Sequence, residues 1–234
     1  MNKNIKIVNI QFLRAFAALA VVFYHTSAQY FAVGGETSGN IFSFMSQVGY
    51  AGVDVFFVIS GYIMWITTKK VNGLNGFKNF IYARLTRIYL GYWPFFFLLL
   101  VIYYYGLSLD KFDILGSFLL TVSSTGKLLV QVAWTLQYEL YFYLSFSLLL
   151  FFPREKFIKI LLFVFMLIIV IQLFGIFYLD IYAKNNLASA SSFYTFWFSP
   201  FCIEFLFGCF IGYYFERRHV KSLFLTFCII FSQP

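Results

Sequence analysis

The sequence specifies an all-α protein, a polytopic bundle of transmembrane helices, and three observations carry that expectation. Of its 234 residues 62% are hydrophobic and 24% aromatic, while only 11% are charged, which leaves too little polar surface to cover a water-soluble globule. The apolar residues fall in continuous runs rich in Phe, Leu and Ile, without the two-residue alternation of a barrel strand, so they read as helices that satisfy their own backbone groups. Lys and Arg gather at alternate ends of those runs, as they do where short loops face the cytoplasm. Residues 1–234 are therefore expected to form a single integral membrane domain.

The first span runs from Ile10 to Phe31. Arg14 and His25 bracket it and no small-residue cleavage site follows, so it is expected to stay in the protein rather than leave as a signal peptide. Val48 to Thr67 forms the second span and carries Asp54. Ile88 to Tyr105 forms the third, led in by the basic, amphipathic stretch Phe80 to Ile88. Phe112 to Val122 is apolar but short. Counted as a span it would invert the charge pattern downstream, so it reads as a re-entrant or surface-lying piece within a long outer loop. Val132 to Phe152, Phe157 to Tyr178 and Tyr194 to Phe215 complete six full spans. Leu223 to Phe231 begins a partial seventh, and because a span needs about 20 residues, the sequence reads as truncated at Pro234 or as ending in a half helix.

Placing the N-terminus in the cytoplasm puts Lys3, Lys6, Lys69, Lys70, Lys78, Arg84, Arg87, Arg154, Lys156, Lys159, Arg217, Arg218 and Lys221 inside, against Lys111, Lys127 and Lys184 outside. The net charge of +8 is thus mostly topology. Anionic membrane lipids are the expected partner of these cations, and no nucleic-acid-binding motif competes. Cys202 and Cys209 lie seven positions apart, a rise of about 10.5 Å on one helix, too far for a disulfide. No metal-ligand spacing appears, so no metal is expected.

Ionisable residues inside membrane spans are costly and tend to be functional. On the topology above, His25, Asp54 and Glu139 all lie in the outer half of the membrane. Arg14 and His25 are separated by ten residues. Eleven helical steps of about 100° return to within about 20° of the same face, with Arg14 about 16 Å nearer the cytoplasm. Histidine is the side chain best poised to accept a proton near neutral pH, and Glu139 or Asp54 could fix its tautomer as the third member of a triad does. The bland alternative is an intramembrane pair that only holds helices together. It weighs more for Asp54, which could equally cap or pair, and Glu204 in the sixth span is a weaker candidate. At the inner end Arg84 and Arg87 share a helix face, and two guanidinium forks so spaced suit phosphate oxygens. Anchoring to anionic lipid headgroups explains them equally well.

Four motifs in order, Leu13-Arg14 through His25, Gly52 to Tyr62, Arg84-x-x-Arg87-Ile88, and Trp134-Thr135-Leu136-x-x-Glu139-x-x-Phe142-Tyr143, resemble the membrane-bound acyltransferase family 3. The similarity covers about Asn9 to Phe152 and loosely extends through Ile203 to Gly208. The resemblance implies a multi-pass enzyme of the bacterial inner membrane that moves an acyl group, usually acetyl from acetyl-CoA, onto a hydroxyl of a cell-surface or exported carbohydrate or a lipid-linked glycan. It implies functional roles for Arg14, His25, Arg84 and Arg87, and a site role for Glu139. Leu90 and Gly91 stand where the family often has proline, and family members usually carry more spans than this sequence shows.

The expected chemistry has acyl-CoA phosphates on Arg84 and Arg87, Arg14 attracting the donor deeper, and His25 as general base supported by Glu139. Direct transfer is favoured over an acyl-histidine intermediate because no Ser-His-Asp arrangement is evident. Two other classes stay open from the sequence: a transporter or flippase that carries a polar solute past the same charges, and a truncated scaffold for neighbouring envelope enzymes.

Overall fold

A computed structural model describes residues 3–35, 41–106, 109–121, 127–178 and 196–218. Every element among these residues is helical: α1 (Lys3–Ala32), α2 (Ile41–Val48), α3 (Ala51–Thr67), α4 (Gly73–Gly106), α5 (Ile114–Leu119), α6 (Trp134–Ser147), α7 (Arg154–Tyr178) and α8 (Pro200–Arg218), with 3-10 turns at Gln131–Ala133 and Leu148–Phe151. The chain divides into two compact units, one of Met1–Ile66 with Gly208–Pro234 and one of Thr67–Phe207.

In the first unit α1 runs unbroken, as its sequence without Gly or Pro allows, and α2 and α3 pack on it. The expected second span, Val48 to Thr67, is α3 with its lead-in, and the preceding α2 meets α3 at 47° across Gly49 and Tyr50. Small residues make the contact with α1 close. A Cβ on Gly52 would stand 2.5 Å from the carbonyl oxygen of Ala17, itself buried. The C-terminal half of α8 packs on α3 by the same device, since a Cβ on Gly208 would run into the Val58 carbonyl. Trp65 Nε1–H donates to Glu216 Oε2 at 2.6 Å, and the Cys209 thiol lies 3.4 Å from the Gly61 carbonyl oxygen.

In the second unit α4 is the long element. It starts fifteen positions before the span read from the sequence, absorbs the basic stretch Phe80 to Ile88 into one helix, and passes through Leu90 and Gly91 without a break. Its 34 residues span about 51 Å, against an apolar bilayer core of about 30 Å. Lys78, Arg84 and Arg87 all lie in its first half, and Ile88 to Gly106 carries no charge. The apolar part can therefore cross while the basic part overhangs. The short apolar piece at Phe112 to Val122 becomes α5, capped by Asp113, whose Oδ1 accepts from Gly116 N–H at 2.8 Å. Its end groups are tied to α4: Tyr92 and Tyr89 hydroxyls donate to the carbonyls of Ser117 and Leu119, each at 2.8 Å. Around α6 the core is aromatic, with Tyr138 stacked on Phe196 at 4.4 Å and Phe142 on Phe205 at 4.5 Å.

Among the described residues three helical segments are long and apolar enough to cross a membrane, Asn9–Ala32, Gly73–Gly106 and Arg154–Gly175, and the bent α2–α3 pair makes a fourth if counted as one span. The six full spans read from the sequence are not reached among the described residues. The fourth expected span holds only 14 residues of α-helix between two 3-10 turns, and α8 ends in Glu216, Arg217 and Arg218. Leu223 to Phe231 lies outside the described residues. Large apolar side chains such as Phe12, Leu90 and Phe163 are more than two-thirds exposed, as lipid-facing groups are.

Candidate functional site

Arg84 is where the second unit concentrates its polar chemistry. The turn after α3 and the first half of α4 enclose an open cavity of about 660 Å³ whose polar lining comes from Thr67, Lys70, Asn72, Asn79, Arg84 and Arg87. Three cations and two amides therefore face one space, a donor set suited to the oxygens of a polyanion. Arg87 is exposed and Arg84 half-buried.

Arg84 is held from three sides. Its Nη2–H donates to Thr67 Oγ1 at 3.0 Å, and its guanidinium carbon sits 5.4 Å from the ring centroids of both Phe80 and Tyr143. Phe80 comes from the preceding turn of α4, and Tyr143 comes from α6, which packs on α4. The Tyr143 hydroxyl in turn donates to Glu139 Oε1, one helical turn earlier on α6. Thr68, next to Thr67, accepts from Arg154 Nη1–H at 3.2 Å, and the Arg154 guanidinium lies over Phe157 at 5.0 Å. Two adjacent hydroxyls at the end of α3 thus each hold an arginine.

The structure joins Arg84 to Glu139, a link absent from the sequence reading, and it does so through Tyr143. A tyrosine four positions after a helical glutamate lies on the same face, which was the available signal. Nothing in the sequence marks Thr67, Lys70, Asn72 or Asn79, because their part in the cavity depends on how the turn before α4 folds.

The other expected residues belong to the first unit. Arg14 and His25 lie on the one continuous helix α1, so the shared-face relation stands on a real element; Arg14 is half-buried and His25 exposed, its ring edge-on to Tyr24 at 5.3 Å. Asp54 lies on α3. The break at Gly49 and Tyr50 makes Ala51 the start of α3, so Asp54 lies in the first turn, where a carboxylate is favoured by the helix dipole. Glu204 is half-buried on α8 in the second unit. Among the described residues no group of three or more His, Cys, Asp or Glu side chains is placed to hold a metal ion.

A family model described as an acyltransferase domain matches residues 7–232. The chain is 29% identical over 198 residues to the exopolysaccharide production protein ExoZ of Rhizobium meliloti (strain 1021), an alignment that covers 80% of this chain and 56% of that protein. The chain thus spans little more than half the length of this relative. No solved structure matches.

Proposed function

We propose, starting from the fact that this chain belongs to the acyltransferase domain family, that it acts as a multi-pass membrane O-acyltransferase that moves an acyl group, acetyl in the simplest case, from cytoplasmic acyl-CoA to a hydroxyl of a cell-surface or exported carbohydrate. The observation that carries the reading is the cavity lined by Lys70, Arg84 and Arg87, with Asn72 and Asn79 beside them, at the overhanging end of α4. Its charge and hydrogen-bonding capacity fit the phosphates of coenzyme A, and Arg84 is fixed by stacking before any ligand arrives. The relative's name, an exopolysaccharide production protein, supports a carbohydrate acceptor.

In this mechanism Arg84 and Arg87 hold the donor phosphates and Arg14 draws the thioester end deeper. His25 takes the proton of the acceptor hydroxyl as its oxygen attacks the thioester carbonyl. A carbon–oxygen bond forms, the carbon–sulfur bond breaks, and the imidazolium returns the proton to the departing thiolate. Glu139 supplies the site carboxylate. The bacterial inner membrane, with the N-terminus inside, is the location that delivers cytoplasmic donor to an outward acceptor, and the distribution of Lys and Arg supports it.

Labelled acetyl-CoA added to inside-out vesicles bearing the full-length protein tests the reading. Label that becomes covalently attached to glycan supports it. Solute movement without attached label makes the protein a transporter, and co-purification with envelope enzymes without either activity makes it a scaffold.

A further inference from the structure

We propose that Tyr143 is a positioning residue that couples the donor-binding cation Arg84 to the site carboxylate Glu139; the proposal rests on the roles given to those two residues above. One side chain serves two charged groups of opposite sign through chemically different parts. Its ring face carries the Arg84 guanidinium at 5.4 Å, and its hydroxyl donates to Glu139 Oε1. Only 2% of the residue is exposed, so neither contact is a chance meeting of mobile surface groups.

Simple packing does not account for the choice of tyrosine. A phenylalanine would fill the same volume and present the same ring to Arg84, but it would leave the half-buried Glu139 one donor short. A hydrogen bond from a hydroxyl to a carboxylate is short, strong and directional, so it fixes which way Glu139 points. The cation–π contact fixes the other end, because Arg84 is clamped between Phe80 and Tyr143 while Thr67 holds its outer edge. Thr67, Arg84, Tyr143 and Glu139 therefore form one chain of contacts from the cavity wall to the carboxylate, across α4 and α6. A donor phosphate engaging Arg84 pulls on a group that is already registered against Glu139.

The ring and the hydroxyl can be separated by substitution. Full-length protein is assayed in membranes of its native host, which contain the endogenous acceptor, with radiolabelled acetyl-CoA as the donor probe. Tyr143→Phe is expected to keep the donor KM within about twofold, because the ring remains, and to lower kcat about tenfold or more, because Glu139 loses a hydrogen bond to its charge. Tyr143→Leu is expected to raise the donor KM as well. A Tyr143→Phe protein with unchanged kcat, beside an inactive Glu139→Gln protein, overturns the coupling alone. A Glu139→Gln protein with full kcat overturns the role of Glu139 and the coupling together. Membrane levels of each variant are measured alongside, and if Tyr143→Leu fails to accumulate, the nearly isosteric Tyr143→Phe still decides.

Discussion

In the first unit the imidazole of His25 is exposed on a long uninterrupted helix, whereas in the second unit Arg84 and Glu139 are joined by side chains drawn from two helices and a turn. The two modes of presentation match the two tasks assigned to them. A base that must receive a proton from an incoming hydroxyl needs access, and its efficiency comes from the substrate's approach. Groups that bind a polyanion gain most from being fixed beforehand, since ordering them costs nothing at the moment of binding. The contrast predicts that substitution of His25 acts on turnover and that substitution of Arg84 or Arg87 acts on donor affinity.

The sharpest test is His25→Ala, which is expected to lower acyl transfer about 100-fold or more while leaving donor affinity unchanged; retained transfer in membrane vesicles would remove His25 from the mechanism. Arg84→Ala combined with Arg87→Ala is expected to weaken acetyl-CoA binding by about 10- to 100-fold without loss of protein from the membrane, as measured by equilibrium binding to vesicles. Unchanged affinity there, with weakened association to anionic lipid, would make the pair a headgroup anchor instead. Gly208→Val tests the first unit as a packed body: the new side chain meets the Val58 backbone, so a loss of about 1–3 kcal/mol is expected as a lower melting temperature in detergent. The mildest change is Thr67→Val, which removes one of the contacts on Arg84 and is expected to raise the donor KM a few-fold, by about 1 kcal/mol.

Hydropathy located α1, α4 and α7 from the sequence because their apolar runs are long and continuous, and it placed their C-terminal ends within one residue, but it set their starts too late. It marks where lipid touches a helix rather than where the helix begins, so α4 was read from Ile88 although it starts at Gly73. Around Trp134 to Phe152 the aromatic residues that raise the hydropathy also pack on Phe196, Phe201 and Phe205, so apolarity there reports contact within the protein as well as with lipid. The pattern of charge singled out Arg84, Arg87 and Glu139 as candidates, since charges stand out in an apolar chain. Tyr143 appears there only as the end of the Trp134 to Tyr143 motif, with no role attached to it. Its bond to Glu139 lies within α6, but its contact with Arg84 is between helices, and no single helix encodes that.

The overhang of α4 carries a mechanical consequence. Arg84 and Arg87 ride on the same helix as the apolar part, Ile88 to Gly106, with Pro94 inside it, and if that part crosses the bilayer, the hydrocarbon thickness bears on how far the cations stand from the headgroup plane. A thicker membrane draws them toward the phosphates of the lipids themselves, where they meet a competing anion, and a thinner one lifts the cavity into the aqueous phase. If Arg84 and Arg87 hold the donor as proposed, lipid chain length becomes a physical control on donor capture, acting through hydrophobic mismatch rather than through any contact within the site.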